Sequence, residues 1–154
     1  MKATGLSFDL VCRCGATAFE AFGKPITVAT CHCESCGIAA RQFAQEFGAG
    51  PVIGADGGVD YALFRKDRVT LLRGRDNLMD HRLTTDSPTR RVVATCCNSP
   101  MFLDYAPGHW LSLFNSSLAG QALTPRLRAH TPRFLLTLLV TWARMGFRRP
   151  DVSF

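Results

Sequence analysis

The sequence predicts a mainly β protein with metal-binding cysteines, a short helix in its first third and a second helix near the C-terminus. Up to residue 115, short stretches of alternating apolar and polar residues are separated by residues that favour turns, as is typical of β-strands. Two longer stretches have the period of a helix instead. Seven cysteines in 154 residues fall into three tight groups, which indicates metal ligands.

The predicted strands follow one another with few interruptions. They span residues 7–12, 17–22, 26–30, 60–64, 68–73, 80–84, 91–96, 101–105 and 110–114. Gly15 and the segments 23–25, 56–58 and 98–100 supply turn residues that tolerate unusual backbone angles. We expect residues 1–120 to form one zinc-binding β domain.

The two helices differ in the surface that they present. Residues 36–47 place alanine and phenylalanine on one face and end before Gly48, a common helix stop. Residues 132–147 begin with a tolerated proline and show a narrow polar stripe beside a broad apolar surface. That surface predicts packing on the sheet, pairing in a homodimer or contact with a membrane interface, in that order.

Charge is concentrated in the C-terminal part of the chain. Residues 121–154 hold six arginines against Asp151, and so carry +5 of the net +6. We expect this basic extension to pack on the same domain, with its arginines in water. Without stacking aromatics between the arginines or a groove-reading motif, no nucleic-acid partner is expected.

Hydropathy predicts no transmembrane segment. The longest apolar run, residues 134–143, has half of the roughly 20 residues that a membrane-spanning helix needs. The first thirty residues contain charges and no continuous apolar stretch, so we expect a cytoplasmic, reducing location in which disulfides do not account for the cysteines.

The first two cysteine groups have spacings that suit zinc. In an extended strand, Cys12 and Cys14 would direct both sulfurs to one side, which is half of a tetrahedral site. The run from Cys31 through Cys33 to Cys36 has the spacing of a zinc knuckle that leads into a helix. His32 would point away from this run, so we expect it in a pocket or at the surface.

The third group, Cys96 and Cys97, leaves three allocations open. Adjacent strand residues face opposite ways, so both can bind one ion only if the chain turns there. If both join Cys12 and Cys14, that site is closed, and Cys31, Cys33 and Cys36 form an open site with a free position. Alternatively, Cys96 completes the second site, or it lies in the core.

An open site of three thiolates would favour thiol chemistry over hydrolysis. Three thiolates give the zinc site a net charge of −1, which weakens its ability to acidify water, whereas soft sulfur ligands suit a further thiolate. The bound thiolate could attack an electrophilic carbon. Carboxylates on such a thiol could bind arginines, with Arg41, Arg90 and Arg91 as candidates.

Three motifs together resemble one known family over residues 8–115. Cys12-Arg13-Cys14-Gly15, the run CHCESC at 31–36, and Arg91 followed by the run CNSPMF at 97–102 are similar to the glutathione-dependent formaldehyde-activating enzyme (GFA) and CENP-V-like family. The resemblance implies a fold of packed antiparallel sheets stabilised by zinc, with a structural zinc on Cys12, Cys14 and Cys97. It implies a second, catalytic zinc on Cys31, Cys33 and Cys36. It also implies a carbon–sulfur lyase that acts on a thiol adduct such as S-hydroxymethylglutathione.

The third motif departs from the family pattern. The family usually has Cys-x-x-Cys-Gly there, whereas this chain has Ala94 at the first cysteine, Asn98 at the glycine, and the additional Cys96. The sequence thus predicts a carbon–sulfur lyase with a small thiol partner such as glutathione. The alternative is a non-catalytic zinc module that binds a protein, nucleic acid or anionic membrane through its tail. For His81, His109 and His130 we expect core or surface roles.

Overall fold

A computed structural model describes residues 5–50 and 52–154, which form two β-sheets and two helices. A three-stranded antiparallel sheet has the order β1-β2-β5, and a seven-stranded sheet has the order β10-β3-β4-β9-β8-β7-β6. The strands are β1 (Ser7–Val11), β2 (Ala18–Phe22), β3 (Thr27–Cys31), β4 (Val59–Arg65), β5 (Val69–Arg73), β6 (Leu78–His81), β7 (Thr89–Ala94), β8 (Ser99–Tyr105), β9 (Trp110–Phe114) and β10 (Leu127–Arg128). The predicted mainly β class with two helices is confirmed.

The seven-stranded sheet is the middle layer of the molecule, because side chains from both of its faces are buried. Along β4, Ala62 and Phe64 belong to one core cluster, while Tyr61 and Leu63 belong to another. A strand covered on both sides reads as a nearly continuous apolar run, as β4 does.

The first core lies between the two sheets. Phe19 of the small sheet meets Phe102 of the large sheet edge to face, with ring centroids 5.2 Å apart. The C-terminal Phe154 packs on both rings, 5.1 Å from Phe19 and 5.7 Å from Phe102. The end of the basic extension is therefore held against the same core as the strands.

Helix α1 (Glu34–Gln45) covers the other face of the large sheet. It follows β3 after two residues and buries Cys36, Ala39, Ala40 and Phe43, the last of which meets Phe114 edge to face. The sequence placed this helix two residues later, at 36–47, because its apolar period begins only at Cys36.

Helix α2 (Pro132–Arg144) buries less of its apolar surface than the sequence led us to expect. Phe134 and Leu138 enter the core beside α1, and Thr131 caps the helix by accepting a hydrogen bond from the Phe134 amide at 3.4 Å. The remaining large aliphatic side chains of the helix are exposed: Leu135, Leu136, Leu139 and Val140.

Two strands, β6 and β7, end earlier than predicted. β6 stops at His81 and β7 at Ala94, instead of reaching residues 84 and 96. Residues 95–98 form a turn in which Asn98 has φ +56°, and β8 begins at Ser99. Asparagine tolerates this left-handed conformation better than most residues.

Within residues 5–50 and 52–154, no helix has the length and apolarity needed to cross a membrane.

Candidate metal centres

Four cysteine sulfurs from two separate turns converge on one point. The Sγ atoms of Cys12, Cys14, Cys96 and Cys97 all lie within 4.8 Å of one another. Cys12 Sγ is 3.6 Å from both Cys14 Sγ and Cys96 Sγ. Zn–S bonds of about 2.3 Å in a tetrahedron separate the sulfurs by about 3.8 Å. The four thiols therefore fit a closed, tetrahedral metal site.

Both pairs of sulfurs converge because the chain turns, and not through strand alternation. β1 ends at Val11, and the amide of Gly15 donates to the carbonyl of Cys12 at 3.0 Å, so Cys12 and Cys14 lie in the turn towards β2. Gly15 has φ +82°, a conformation that glycine adopts without strain. The expectation of an extended segment at Cys12–Cys14 was wrong, whereas the turn that lets Cys96 and Cys97 approach one point is present.

The surroundings of the first group shift the pKa values of two of its thiols in opposite directions. Burial raises the pKa of Cys97, but hydrogen bonds from Ser99 and from the Cys14 backbone outweigh it and lower the pKa to about 6. Burial and the neighbouring thiols raise the pKa of Cys96 to about 12. Without a cation the four sulfurs cannot all ionise side by side, so binding of a metal here must release protons.

A second group combines two cysteines with a histidine. Cys31 and Cys33 Sγ and a ring nitrogen of His130 lie within 4.8 Å of one another. Cys31 Sγ is 3.3 Å from Cys33 Sγ and 3.6 Å from His130 Nε2. A sulfur and a nitrogen on one tetrahedral zinc are about 3.6 Å apart. Three donors of this kind match an open zinc site, which keeps one position for water or substrate.

His130 reaches this group through a parallel strand pair. β10 runs beside β3, with Leu127 opposite Ala29 and Arg128 opposite Thr30, and the Ala129 amide donates to the Thr30 carbonyl at 2.9 Å. The next residue, His130, therefore arrives beside Cys31, with φ +66°. His130 is exposed, in agreement with the expected core or surface position, but its place beside Cys31 and Cys33 was not expected from the sequence. No spacing motif could have revealed it, because His130 and Cys31 lie 99 positions apart.

Cys36 lies next to the second group but outside the three-donor set. Its Sγ accepts a hydrogen bond from the Tyr61 hydroxyl at 3.4 Å. Hydrogen bonding with Cys31 lowers the pKa of Cys36 to about 5, and Tyr61 and the charge of Arg91 act in the same direction. The same hydrogen bond, together with burial, raises the pKa of Cys31. In the metal-free protein, Cys36 thus carries the negative charge of this pair.

A cavity of about 390 Å³ adjoins the second group. Cys31, Cys33, Cys36 and His130 all contribute to its wall. Most of the remaining wall is apolar, with Leu63, Leu103, Trp110, Phe134 and Leu138 among its members. A group of candidate metal ligands beside an apolar pocket with a few polar groups is an arrangement typical of a small-molecule site.

Three other residues that the sequence suggested lie outside the cavity wall: His32, Arg41 and Arg90. His32 lies near the surface with its Nε2 atom 3.3 Å from Asp56. Arg90 pairs with Asp80 and Asp104, and Arg41 is exposed, so neither lines the cavity. Of the three candidate arginines, Arg91 alone belongs to the cavity wall.

Comparison with known proteins supports the fold and goes no further. No protein-family model and no curated protein matches the chain. A crystal structure of a Rhodobacter sphaeroides protein from structural genomics is similar, with a TM-score of 0.52 and 16% sequence identity over 80% of this chain and 98% of that one. At this identity the likeness concerns the fold alone, and the resemblance to the GFA family stays a prediction.

Proposed function

We propose that the protein binds one structural zinc and one reactive zinc, and that the second makes or breaks a carbon–sulfur bond in a small thiol adduct. The observation that carries the proposal is the three-donor group Cys31, Cys33 and His130 in the wall of an apolar cavity. Cys12, Cys14, Cys96 and Cys97 would hold the structural ion. Glutathione is the thiol that the family resemblance suggests.

A metal held by these three residues would stabilise a substrate thiol as its thiolate. In the forming direction, the thiolate sulfur would attack an aldehyde carbon, the carbon–sulfur bond would form as the carbonyl π bond breaks, and the oxygen would take up the proton that the substrate thiol had released. Cys36 and Tyr61 share a hydrogen bond at the cavity wall, which allows them to supply or accept that proton. We therefore assign Cys36 to proton transfer, while Cys31 and Cys33 bind the metal.

The metal content of variants tests this assignment. We expect about two zinc ions per chain in the purified protein, and about one in H130A and in C33S, because two donors hold zinc much more weakly than three. H32A is the matched control, since its imidazole pairs with Asp56 outside the group, and it should keep both ions. Two tightly bound ions in H130A would contradict the assignment.

Turnover tests the chemistry separately from metal content. Formation of S-hydroxymethyl adducts from formaldehyde and a thiol can be followed by NMR, against the uncatalysed rate. We expect catalysis by the two-zinc protein and its loss in H130A and C33S. C36S should keep the second zinc and lose most of the rate. A two-zinc protein that does not accelerate the reaction with any small thiol would refute the carbon–sulfur chemistry.

A second candidate function arises from the exposed face of α2. Leu135, Leu136, Leu139 and Val140 are all more than a third exposed, Leu136 reaching 59%. Arg133 and Arg144 lie near the two ends of the same helix, and both are exposed. An apolar helical face bordered by arginines is typical of helices that lie in the interface of an anionic membrane.

The charge distribution favours such a membrane over a second copy of the chain. A symmetric dimer brings the same surface of each copy together, and this surface carries arginines with Asp151 as the one acidic residue of segment 121–154. Like charges would then approach one another. Anionic lipids would neutralise them instead.

Vesicle binding distinguishes the two occupants. We expect the protein to bind phosphatidylserine vesicles in low salt, to bind neutral phosphatidylcholine vesicles weakly, and to lose binding when Leu136 and Leu139 are both replaced by glutamate. L72E is the matched control, because Leu72 is similarly exposed on β5. A dimer in sedimentation that the double variant dissociates, without vesicle binding, would assign the face to a second copy.

A further inference from the structure

Arg91 is a buried arginine to which the described residues offer no carboxylate partner. Its side chain is 2% exposed, and its Nε atom has no hydrogen-bond partner among residues 5–50 and 52–154. No ion pair in those ranges includes it. Arginine is almost never fully buried unless it is paired, because removing its charge from water costs several kcal/mol.

The neighbouring arginine shows what a paired arginine looks like in the same strand. Arg90 donates from Nε to Asp104 at 3.0 Å and from Nη1 to Asp80 at 3.0 Å. Successive residues of β7 point to opposite faces of the sheet, so Arg91 points to the face that carries the cavity. The protein thus supplies carboxylates for one arginine and leaves the other to face the cavity.

The cavity wall supplies no carboxylate to Arg91. Its described residues include no aspartate and no glutamate, and Cys31, Cys33 and His130 are directed to the metal. Cys36, whose ionisation the charge of Arg91 favours, lies in the same wall, but no hydrogen bond within the described residues joins the two side chains. Arg91 is the one permanently charged side chain of the wall, and most of the rest is apolar. A ligand that satisfies this site therefore brings one anionic group and an apolar body.

We propose, on the basis of the function assigned above, that the cavity binds thiols with a single carboxylate on an apolar chain, the thiol at Cys31, Cys33 and His130 and the carboxylate on Arg91. The planar guanidinium suits a bidentate carboxylate contact. Glutathione fits this cavity less well, since the wall offers its second carboxylate no second arginine or lysine and offers its ammonium group no carboxylate.

The cavity size agrees with this class of ligand. Small-molecule pockets span roughly 300–1,000 Å³, and about 390 Å³ lies near the lower limit. A short mercaptocarboxylate occupies such a volume without the extended polar contacts that a tripeptide requires. Zinc and Arg91 then fix the two ends of the ligand, and apolar side chains such as Leu103 and Phe134 cover its middle.

Calorimetric binding of matched probes to the zinc-loaded protein tests the proposal. The probes are mercaptocarboxylates from mercaptoacetate to 6-mercaptohexanoate, the corresponding alkanethiols, the corresponding carboxylates without a thiol, and glutathione. We expect one mercaptocarboxylate to bind about 10–100-fold more tightly than the alkanethiol of equal length, as charged hydrogen bonds contribute in this range. R91Q should remove that advantage and leave alkanethiol binding unchanged.

Controls separate a ligand-binding role from a structural one. R41Q replaces an exposed arginine outside the cavity and should bind every probe normally. R91M should raise the melting temperature of the ligand-free protein, because an unpaired buried charge is exchanged for an apolar side chain of similar length. A fall in the melting temperature of both R91M and R91Q, with unchanged preference for mercaptocarboxylates, would show that Arg91 is structural.

The same measurements distinguish failure of this inference from failure of the proposed function. If mercaptocarboxylates bind no better than alkanethiols, and R91Q changes nothing, the Arg91 assignment is wrong while thiol binding at zinc stands. If carboxylates bind as well as mercaptocarboxylates in an Arg91-dependent manner, the anion site stands and the thiol chemistry is wrong. Glutathione binding more tightly than every mercaptocarboxylate would overturn the proposed ligand class.

Discussion

Asp104, a buried carboxylate of β8, pairs with two cationic side chains. Lys66 and Asp104 are both buried, with Lys66 Nζ 2.9 Å from Asp104 Oδ1, and Arg90 donates to the other carboxylate oxygen at 3.0 Å. The contact between Lys66 and Asp104 is an ion pair, and Oδ1 accepts no hydrogen bond among the described residues. Lys66 donates instead to the carbonyls of Tyr105 and Ala106. One carboxylate therefore balances two cations.

Removing that carboxylate should destabilise the protein strongly. We expect D104N to lower the free energy of unfolding by about 3–5 kcal/mol, because Lys66 would stay buried without an anion. D80N is the control, as Asp80 pairs with the same Arg90 but is 44% exposed, and it should cost less than ~1 kcal/mol. Urea titration measures both. Equal losses would show that burial of the ion pair is unimportant here.

At the scale of elements, turns contribute more to the metal sites than strands do. Cys12 and Cys14 lie after β1, Cys96 and Cys97 lie after β7, and Cys33 lies between β3 and α1. Thr17, just before β2, donates its amide to Cys12 Sγ at 3.2 Å, and its hydroxyl is 3.5 Å from Cys96 Sγ. The loop after β5 packs on this threonine and so supports the first cysteine group.

Gly74 provides a test of that support. It has φ +86°, and a Cβ there would lie 2.5 Å from Thr17 Oγ1 and 2.7 Å from the Ala16 carbonyl oxygen. We expect G74A to cost about 3 kcal/mol in unfolding free energy, from backbone strain together with this overlap. It should also weaken retention of zinc by the first group, because Thr17 must move.

The matched control for G74A is G57A, in which the backbone strain is similar and the overlap is absent. Gly57 has φ +81°, with no atom within 4 Å of a Cβ. G57A should lower the free energy of unfolding by about 1 kcal/mol and leave zinc retention unchanged. Chemical denaturation and zinc release to a colorimetric chelator measure the two quantities. Equal costs for both variants would exclude the contact with Thr17 as the cause.

At the scale of the whole molecule, the first cysteine group links the two sheets. Cys12 and Cys14 belong to the hairpin of the three-stranded sheet, and Cys96 and Cys97 to a hairpin of the seven-stranded sheet. A metal bound there would act as a crosslink between the layers that enclose the first core. The second group lies on the opposite face, next to α1 and α2, where Cys31, Cys36 and Phe134 share a core cluster.

Loss of the two metals should therefore have different consequences. C12S would remove one of the four thiols that we propose hold the structural ion, and this thiol is buried. We expect C12S to lower the free energy of unfolding by about 4 kcal/mol and the melting temperature by ~10 °C or more. C33S should shift the melting temperature by less than about 3 °C, since the second group lies in the cavity wall and does not join the two sheets. Differential scanning calorimetry measures both. A larger loss in C33S than in C12S would reverse the structural and reactive assignments.

The sequence by itself determined the mainly β class, most strand positions, both helices and the grouping of the cysteines. These features depend on local signals: the residue period, turn-forming residues and short cysteine spacings. Even there, local reasoning treated Cys12 and Cys14 as strand residues, because their spacing fits a strand and a turn equally well.

The tertiary structure decided which distant residues meet. His130 lies beside Cys31 because β10 pairs with β3, and that register depends on the assembly of the whole sheet. Arg91 faces a cavity that offers it no carboxylate, and Leu136 faces solvent because α2 turns its other side, with Phe134 and Leu138, toward the core. Contacts of this kind depend on how elements far apart in the chain pack together, and no local period or spacing encodes them.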